Sequence, residues 1–338
     1  MPEQQLPLAQ RAGFIAGPAK SGTTLLVSLL DGHPDLLVFP AETAYFPTVL
    51  TKWARHGRRA QFDYLTKESF ARVLFGAPAR SGKHAYSDFP KREFLERFEK
   101  AAFDPANTDK DLLVLMIESY AAVRGIDTSR IRHWIEKTPA NRNHLAAILA
   151  RFPEAKILLT LRDPRAIMAA QIALEKTRRT GRFSTYYVAA HWRKAAHLAL
   201  QIRRGALPGF VVQYEKLVSE TEQTMREVCA YLGIDFSATM LLPTKAGEAW
   251  AGNSAARTGF TSVSAQPAFR WRNELNEDEI GWIEWHCRDL MPEFGYEPQV
   301  SQKRFGSWLK PIRGERPREY LKSRIYSMRD RILRRQEG

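Results

Sequence analysis

A chain of 338 residues with 44% apolar and 26% charged side chains can build a large core, which excludes a disordered or collagen-like polypeptide. The formal net charge of +14 suggests a nucleic-acid binder at first, but residues 301–338 hold twelve Lys/Arg against four Asp/Glu, a net +8. The remainder carries only +6, modest for a protein that holds a polyanionic small molecule, so no nucleic-acid partner is expected.

In chain order, the first residues lack the basic stretch and apolar core of a signal peptide, and a cytoplasmic location is expected. The apolar run 13–16 leads into Gly17-Pro18-Ala19-Lys20-Ser21-Gly22-Thr23-Thr24, after which Leu25, Leu26, Leu29 and Leu30 recur at helical spacing until Gly32 and Pro34. This reads as strand, glycine loop, helix. Further strands are predicted at 36–39, 133–136, 156–161 and 210–214, with a helix over 142–152. Strands that alternate with helices and run continuously apolar predict an α/β protein with a parallel sheet covered on both faces. Helical insertions are expected near 45–130 and 165–205. The longest apolar run, 112–117, is far short of the ~18 residues of a membrane span, so no transmembrane segment is expected.

One α/β domain is predicted over 1–300, followed by a basic tail, 301–338. There Arg316, Tyr320, Leu321, Ile325, Met328, Ile332 and Leu333 mix arginine with apolar residues at helical spacing, which reads as a docked, solvated C-terminal helix. A peripheral membrane or partner contact is the sharper reading of the same pattern. A homodimer is compatible with the sequence. The two cysteines, Cys229 and Cys287, and the absence of histidines paired at i and i+4 beside a carboxylate argue against a disulfide framework and a metal cage, and no metal is expected.

A glycine loop that opens a helix turns several backbone N–H groups outward, where the helix dipole adds positive charge, so residues 17–24 suit a phosphate. The glycine spacing is that of a P-loop, but Thr23 stands where the nucleoside-triphosphatase motif has its lysine, and Lys20 lies inside the loop.

This loop, followed by Leu30-Asp31-Gly32-His33-Pro34, resembles the 5′-phosphosulfate loop of sulfotransferases that use 3′-phosphoadenosine-5′-phosphosulfate (PAPS). The resemblance continues at Glu136-Lys137-Thr138-Pro139, Phe152-Pro153-Glu154-Ala155-Lys156, Arg162-Asp163-Pro164-Arg165 and Tyr214-Glu215-Lys216-Leu217-Val218. It closes with Thr261-Ser262-Val263-Ser264, Arg270-Trp271-Arg272 and Phe294-Gly295-Tyr296, in family order over residues 13–297. Bacterial and tyrosylprotein sulfotransferases are the relatives it suggests, which implies a P-loop-type parallel sheet and PAPS as co-substrate. The implied reaction is in-line sulfuryl transfer to a hydroxyl of a small molecule, lipid, saccharide or peptide, with a carboxylate as general base.

The resemblance also assigns residues. Lys20 matches the lysine that meets the 5′-phosphate and the bridging oxygen, and Ser21, Gly22, Thr23 and Thr24 are expected to bind the same phosphate. Arg162 matches an arginine on the 3′-phosphate. The family's serine eight residues on is Ala170 here, which leaves Gln171 or the Arg257-Thr258-Gly259 loop as substitutes. Glu42, eight residues after Pro34, resembles the glutamate base of tyrosylprotein and heparan sulfotransferases. Lys137 resembles a lysine near the transferring group, and Glu136 is either its salt-bridge partner or a second candidate base. Tyr45, Phe46 and Trp53 are candidates for an acceptor pocket, or for core. His33, Tyr214 and Glu215 read as fold support. The competing function is a P-loop nucleotide kinase-like phosphotransferase. The lysine placement opposes it, as does the lack of a clear magnesium-binding carboxylate, Asp163 being embedded in Arg-Asp-Pro-Arg.

Overall fold

The computed structural model describes residues 6–76, 88–178, 183–249, 263–300 and 312–336. Five strands, β1 (Ala12–Ala16), β2 (Leu36–Val38), β3 (His133–Lys137), β4 (Lys156–Leu161) and β5 (Phe210–Gln213), form a parallel sheet in the order β2-β3-β1-β4-β5, flanked by helices. Each falls within one residue of its predicted bounds. β1 is buried throughout, and β3 and β4 at every residue but the first, which is why β1 and most of β4 read as continuous apolar runs rather than alternating ones. In the register of β1 against β3, Phe14 lies opposite Glu136 and Ile15 opposite Lys137, so the charged residues of β3 stand at its carboxyl end.

The described residues gather into two compact units. One comprises those of Met1–Ala16, Thr23–Leu158 and Met225–Trp250. Phe14, Trp134 and Phe152 meet at ring-centroid distances of 5.4–5.7 Å in its core, with Phe46 5.5 Å from Phe14. The apolar run 112–117 is buried in the helix Leu112–Val123, within the expected helical insertion. The predicted helix over 142–152 is shorter, Leu145–Arg151, because a 3-10 turn, Pro139–Asn143, precedes it and His144 leaves helical geometry at φ −131°.

The other unit comprises the described residues of Gly17–Gly22, Leu159–Thr224 and Ala251–Gly338. Its helices include Pro164–Arg178, Thr185–Arg203, Glu277–Cys287 and Pro317–Gln336, the last being the predicted C-terminal helix. Arg165 is buried here, 2.7 Å from both Asp163 and Glu284, with its guanidinium 4.0 Å from the Trp271 ring centroid. Among the described residues no helix is long and apolar enough to cross a membrane.

In a parallel sheet the segments that follow the carboxyl ends of the strands are the ones free to bind ligands. Residues 17–22 follow β1, Glu42 follows β2, Lys137 ends β3, Arg162 follows β4 and Tyr214 follows β5.

Candidate active site

The loop 17–22 owes its shape to close contacts within its own unit. A Cβ on Gly17 would stand 2.2 Å from Thr160 Oγ1 and 2.8 Å from the Thr160 carbonyl, so no side chain fits there. Gly22 has φ +97° and a Cβ on it would lie 2.4 Å from the Tyr214 ring. Lys20 itself takes a left-handed conformation, φ 72°, unusual for a residue with a side chain and a mark of a loop held by its surroundings. Ser21 is fully buried: its N–H and its hydroxyl both turn to the Pro18 carbonyl, at 3.2 and 2.7 Å, and the hydroxyl lies 2.6 Å from Thr160 Oγ1.

Arg162 fastens the loop from β4. Its Nη1 donates to the Lys20 carbonyl at 3.0 Å and its Nη2 to the Pro267 carbonyl at 2.6 Å, while the guanidinium lies 4.2 Å from the Tyr214 ring centroid. Its Nε is buried without a hydrogen-bond partner among the described residues. Tyr214 is thereby placed against both Gly22 and Arg162, and burial raises its phenol pKa. Glu215 accepts from the Asp163 N–H at 3.0 Å and the Tyr296 hydroxyl at 2.7 Å, its pKa also raised by burial. These two residues support the loop and the strand end, as expected from the sequence.

In the other unit a second cluster brings Glu42 and Lys137 together. The Lys137 ammonium lies 2.5 Å from Glu42 Oε1 and 3.5 Å from Thr24 Oγ1. The side chain of Glu42 is 30% exposed and that of Lys137 is 11% exposed, so the pair is reachable at the carboxylate. Glu136 is not the partner of Lys137. It is fully buried, and its Oε1 accepts from the Thr43 N–H at 3.1 Å, the Thr43 hydroxyl at 3.0 Å and the Thr138 hydroxyl at 2.6 Å. Its Oε2 accepts from Asn141 Nδ2 at 2.8 Å. Burial raises the Glu136 pKa and these hydrogen bonds oppose the rise. Thr138 also accepts from the N–H of Ala44, which has φ 53°. The buried carboxylate and its neighbour thus clamp the two residues that follow Glu42.

Lys245, which the sequence reading did not single out, joins this cluster electrostatically. Burial first, and then repulsion from Lys137, pushes its pKa down to about 8, while Asp31 and Glu42 pull the other way. It sits in a short hairpin, Thr244–Lys245 paired with Glu248–Ala249, that Asp31 holds by accepting from Thr244 Oγ1 and the Gly247 N–H, both at 2.8 Å.

The other expected residues are placed as follows. His33 packs its turn, accepting the Asp35 N–H at Nδ1 and meeting the Asp235 carbonyl at 2.9 Å. Tyr45 and Phe46 are core, at 3% and 1% exposure, with the Tyr45 hydroxyl donating to Asp111 at 2.9 Å; Trp53 is half-buried beside His56 and Tyr64. Ala170 and Gln171 are half-buried on the helix Pro164–Arg178. Arg257, Thr258 and Gly259, and Thr261 and Ser262 of the later block, lie outside the described residues. The Asp163 carboxylate is engaged bidentately by Arg165, so it is not presented as a magnesium ligand for phosphoryl transfer. Among the described residues no cluster of His, Cys, Asp and Glu could hold a metal ion.

A protein-tyrosine sulfotransferase 2 of Gallus gallus is 25% identical over 309 residues, covering 87% of this chain and 71% of its own length. The nodulation protein NoeE of Sinorhizobium fredii (strain NBRC 101917 / NGR234) is 26% identical over 313 residues, covering 86% and 67%. The sulfotransferase domain from the Synechococcus PCC 7002 olefin synthase shares the fold, with a TM-score of 0.54 at 20% identity over 87% of this chain and 99% of that one. Residues 14–238, two thirds of the sequence, match the profile of the sulfotransferase family, and the chain belongs to that family.

Proposed function

We propose that this protein transfers the sulfuryl group of PAPS to an acceptor hydroxyl. In this reading the loop 17–22, with Lys20 and the N–H groups that open the helix Thr23–Leu30, holds the 5′-phosphosulfate. The donor fits the loop's chemistry: two glycines that admit no Cβ, a lysine within the loop, and a buried Arg162 Nε with no partner among the described residues. Ser21 acts through the loop's shape, since its hydroxyl is spent on Pro18 and Thr160. Arg162 adds positive charge, and the 3′-phosphate also draws on Gln171 or on the Arg257 loop where the family has a serine in place of Ala170.

The observation that carries the reading is the Glu42–Lys137 pair over a fully buried Glu136. A base for a hydroxyl proton must be reachable and oriented, and Glu42, 30% exposed and paired with Lys137, meets these conditions where Glu136 is sealed. The acceptor oxygen attacks sulfur, its proton passes to Glu42, and the bond from sulfur to the bridging oxygen breaks, releasing 3′-phosphoadenosine 5′-phosphate. As Glu42 is neutralised, Lys137 loses its counter-ion and its charge becomes available to the transferring oxygens. No step calls for a metal. Tyrosine acceptors are suggested by the relatives' names, and the half-exposed base suits any hydroxyl that reaches it. Both cysteines are buried thiols, in keeping with a reducing cytoplasm.

The test is transfer of radiolabelled sulfate from PAPS to extract acceptors without added magnesium, together with calorimetry of 3′,5′-adenosine bisphosphate. Lys20→Ala and Arg162→Ala should each weaken nucleotide binding about tenfold or more. Unchanged affinity in both variants would rule out the donor assignment.

A further inference from the structure

Ser323, Arg324 and Tyr326 anchor the C-terminal helix Pro317–Gln336. The Ser323 hydroxyl donates to Glu315 at 2.5 Å and lies 3.1 Å from the Ser184 hydroxyl, and Glu315 also accepts from the N–H and hydroxyl of Thr185 at 3.0 and 2.9 Å. Arg324 is buried with its guanidinium 5.4 Å from the Trp282 ring centroid, and the Tyr326 ring lies 5.2 Å from that of Tyr186. These contacts fix the rotation of the helix about its axis, with Leu321, Ile325 and Met328 turned outward.

That outward face is apolar. Leu321, Ile325 and Met328 are 59%, 56% and 58% exposed. Their spacing of four and three residues places them within about 60° of one another at 3.6 residues per turn. Single exposed apolar residues are ordinary, but a stripe of three large ones on one helix marks a contact surface. Cations flank it. Arg318 and Lys322 fall within a turn of Leu321, and Arg329 follows Met328 and lies one turn beyond Ile325. Over the whole helix seven Lys/Arg stand against two Asp/Glu, a net +5.

We propose that this face docks on an anionic lipid bilayer, with the apolar stripe at the boundary between headgroups and acyl chains and the arginines and lysines among the lipid phosphates and carboxylates. The charge decides against the other occupants. A second copy of the chain would set one +5 helix against another, and a nucleic acid would engage the cations but leave the stripe wet. The helix is too charged to insert across the bilayer, so it lies on the surface. The protein would thereby be held where lipid-borne or membrane-proximal hydroxyls are concentrated.

The experiment is cosedimentation of the full chain with vesicles of phosphatidylcholine alone and of phosphatidylcholine with phosphatidylserine, at low and high salt. Binding is expected only with phosphatidylserine, and salt should weaken it. The Leu321→Glu/Ile325→Glu double variant, altered at exposed positions, should lose at least about tenfold in vesicle partition while its melting temperature and nucleotide affinity stay unchanged. Arg318→Glu/Arg329→Glu should lose the phosphatidylserine preference. Equal binding to both vesicle types, or full partition of the Leu321/Ile325 variant, would overturn the proposal. So would a stripe whose substitution dissociates a dimer in light scattering, or whose cations bind DNA, while vesicles are left unbound.

Discussion

Glu42 and Glu136 differ by burial more than by chemistry, and the difference separates their roles. Glu42→Gln keeps the shape but cannot take a proton, so turnover should fall by ~10²-fold or more with nucleotide affinity unchanged. Glu136→Gln should be mild, within about tenfold in turnover. The new amide oxygen can keep the hydrogen bonds from Thr43 and Thr138, and a half-turn of the Asn141 amide offers its Oδ1, which is buried without a partner, to the new N–H₂. Glu136→Ala, in contrast, leaves the Thr43 N–H buried and unpaired, at a cost of about 1–3 kcal/mol, and should release the segment after Glu42. Steady-state kinetics on the three variants decides the matter: loss of turnover in Glu136→Gln alone would move the base to the buried carboxylate. Lys245 adds a pH signature. Its pKa of about 8 means that its charge is present below that pH and gone above it, so kcat/KM should fall as pH rises through 8 if this cation supports the Glu42–Lys137 pair. Lys245→Arg, charged throughout, should move the fall to higher pH. Stability carries the opposite sign. The folded pKa lies below the unfolded value, so the unfolded chain binds more protons between about pH 8 and 10.5, and stability should rise across that window. Lys245→Met should stabilise the protein at neutral pH, by at most about 3 kcal/mol, and the gain should vanish toward pH 10 in urea titrations.

At the scale of elements, the loop after β1 was legible because its residue types are constrained locally: glycines where a Cβ has no room, and a helix-forming run directly after. β1 and β4 are legible because burial on both faces writes a nearly continuous apolar run. What surrounds the loop was not. Thr160, Tyr214 and Arg162 shape it from β4 and from the residue after β5, more than 130 positions away in sequence, and nothing in the local composition of those segments names their target. Lys245 was missed for the same reason, since a Lys-Ala-Gly turn reads as an ordinary hairpin until Asp31 is seen to hold it. Tyr45 and Phe46, adjacent to the base in sequence, were candidates for an acceptor pocket and instead fill the core. The loop's dependence on its neighbours is testable at Gly22. Gly22→Ala must adopt φ +97° and push the Tyr214 ring, which also carries Arg162 on its face. Backbone strain of about 1–3 kcal/mol should lower the melting temperature by a few degrees, and the displaced loop should lose roughly tenfold or more in 3′,5′-adenosine bisphosphate affinity by calorimetry. Retained affinity would mean that the loop does not hold the nucleotide.

For the molecule as a whole, the path of the chain decides how the two units unfold. The boundaries fall at residues 16/17, 22/23, 158/159, 224/225 and 250/251, so neither unit is a continuous segment, and six loop residues of one are bonded at both ends to the other. We propose that they behave as one cooperative domain, because melting either unit frees both ends of segments that the other must keep ordered. Arg165 is the place to test this. It is 4% exposed on its side chain, pairs with Asp163 and Glu284, donates to the Glu297 carbonyl and lies against Trp271, all within one unit. Arg165→Met preserves much of the volume but strands two buried carboxylates, a loss of about 3–5 kcal/mol where a buried pair is broken from one side. Urea unfolding followed by circular dichroism and by tryptophan fluorescence should show one transition in the parent protein and one, at lower urea, in the variant. The segments of each unit hold tryptophans, Trp53, Trp134 and Trp250 in the first and Trp192, Trp271, Trp282, Trp285 and Trp308 in the second, so the fluorescence reports on both. A variant in which the second unit's signal melts early while the rest of the transition stays at its original midpoint would show that the units unfold independently, despite the five covalent crossings between them.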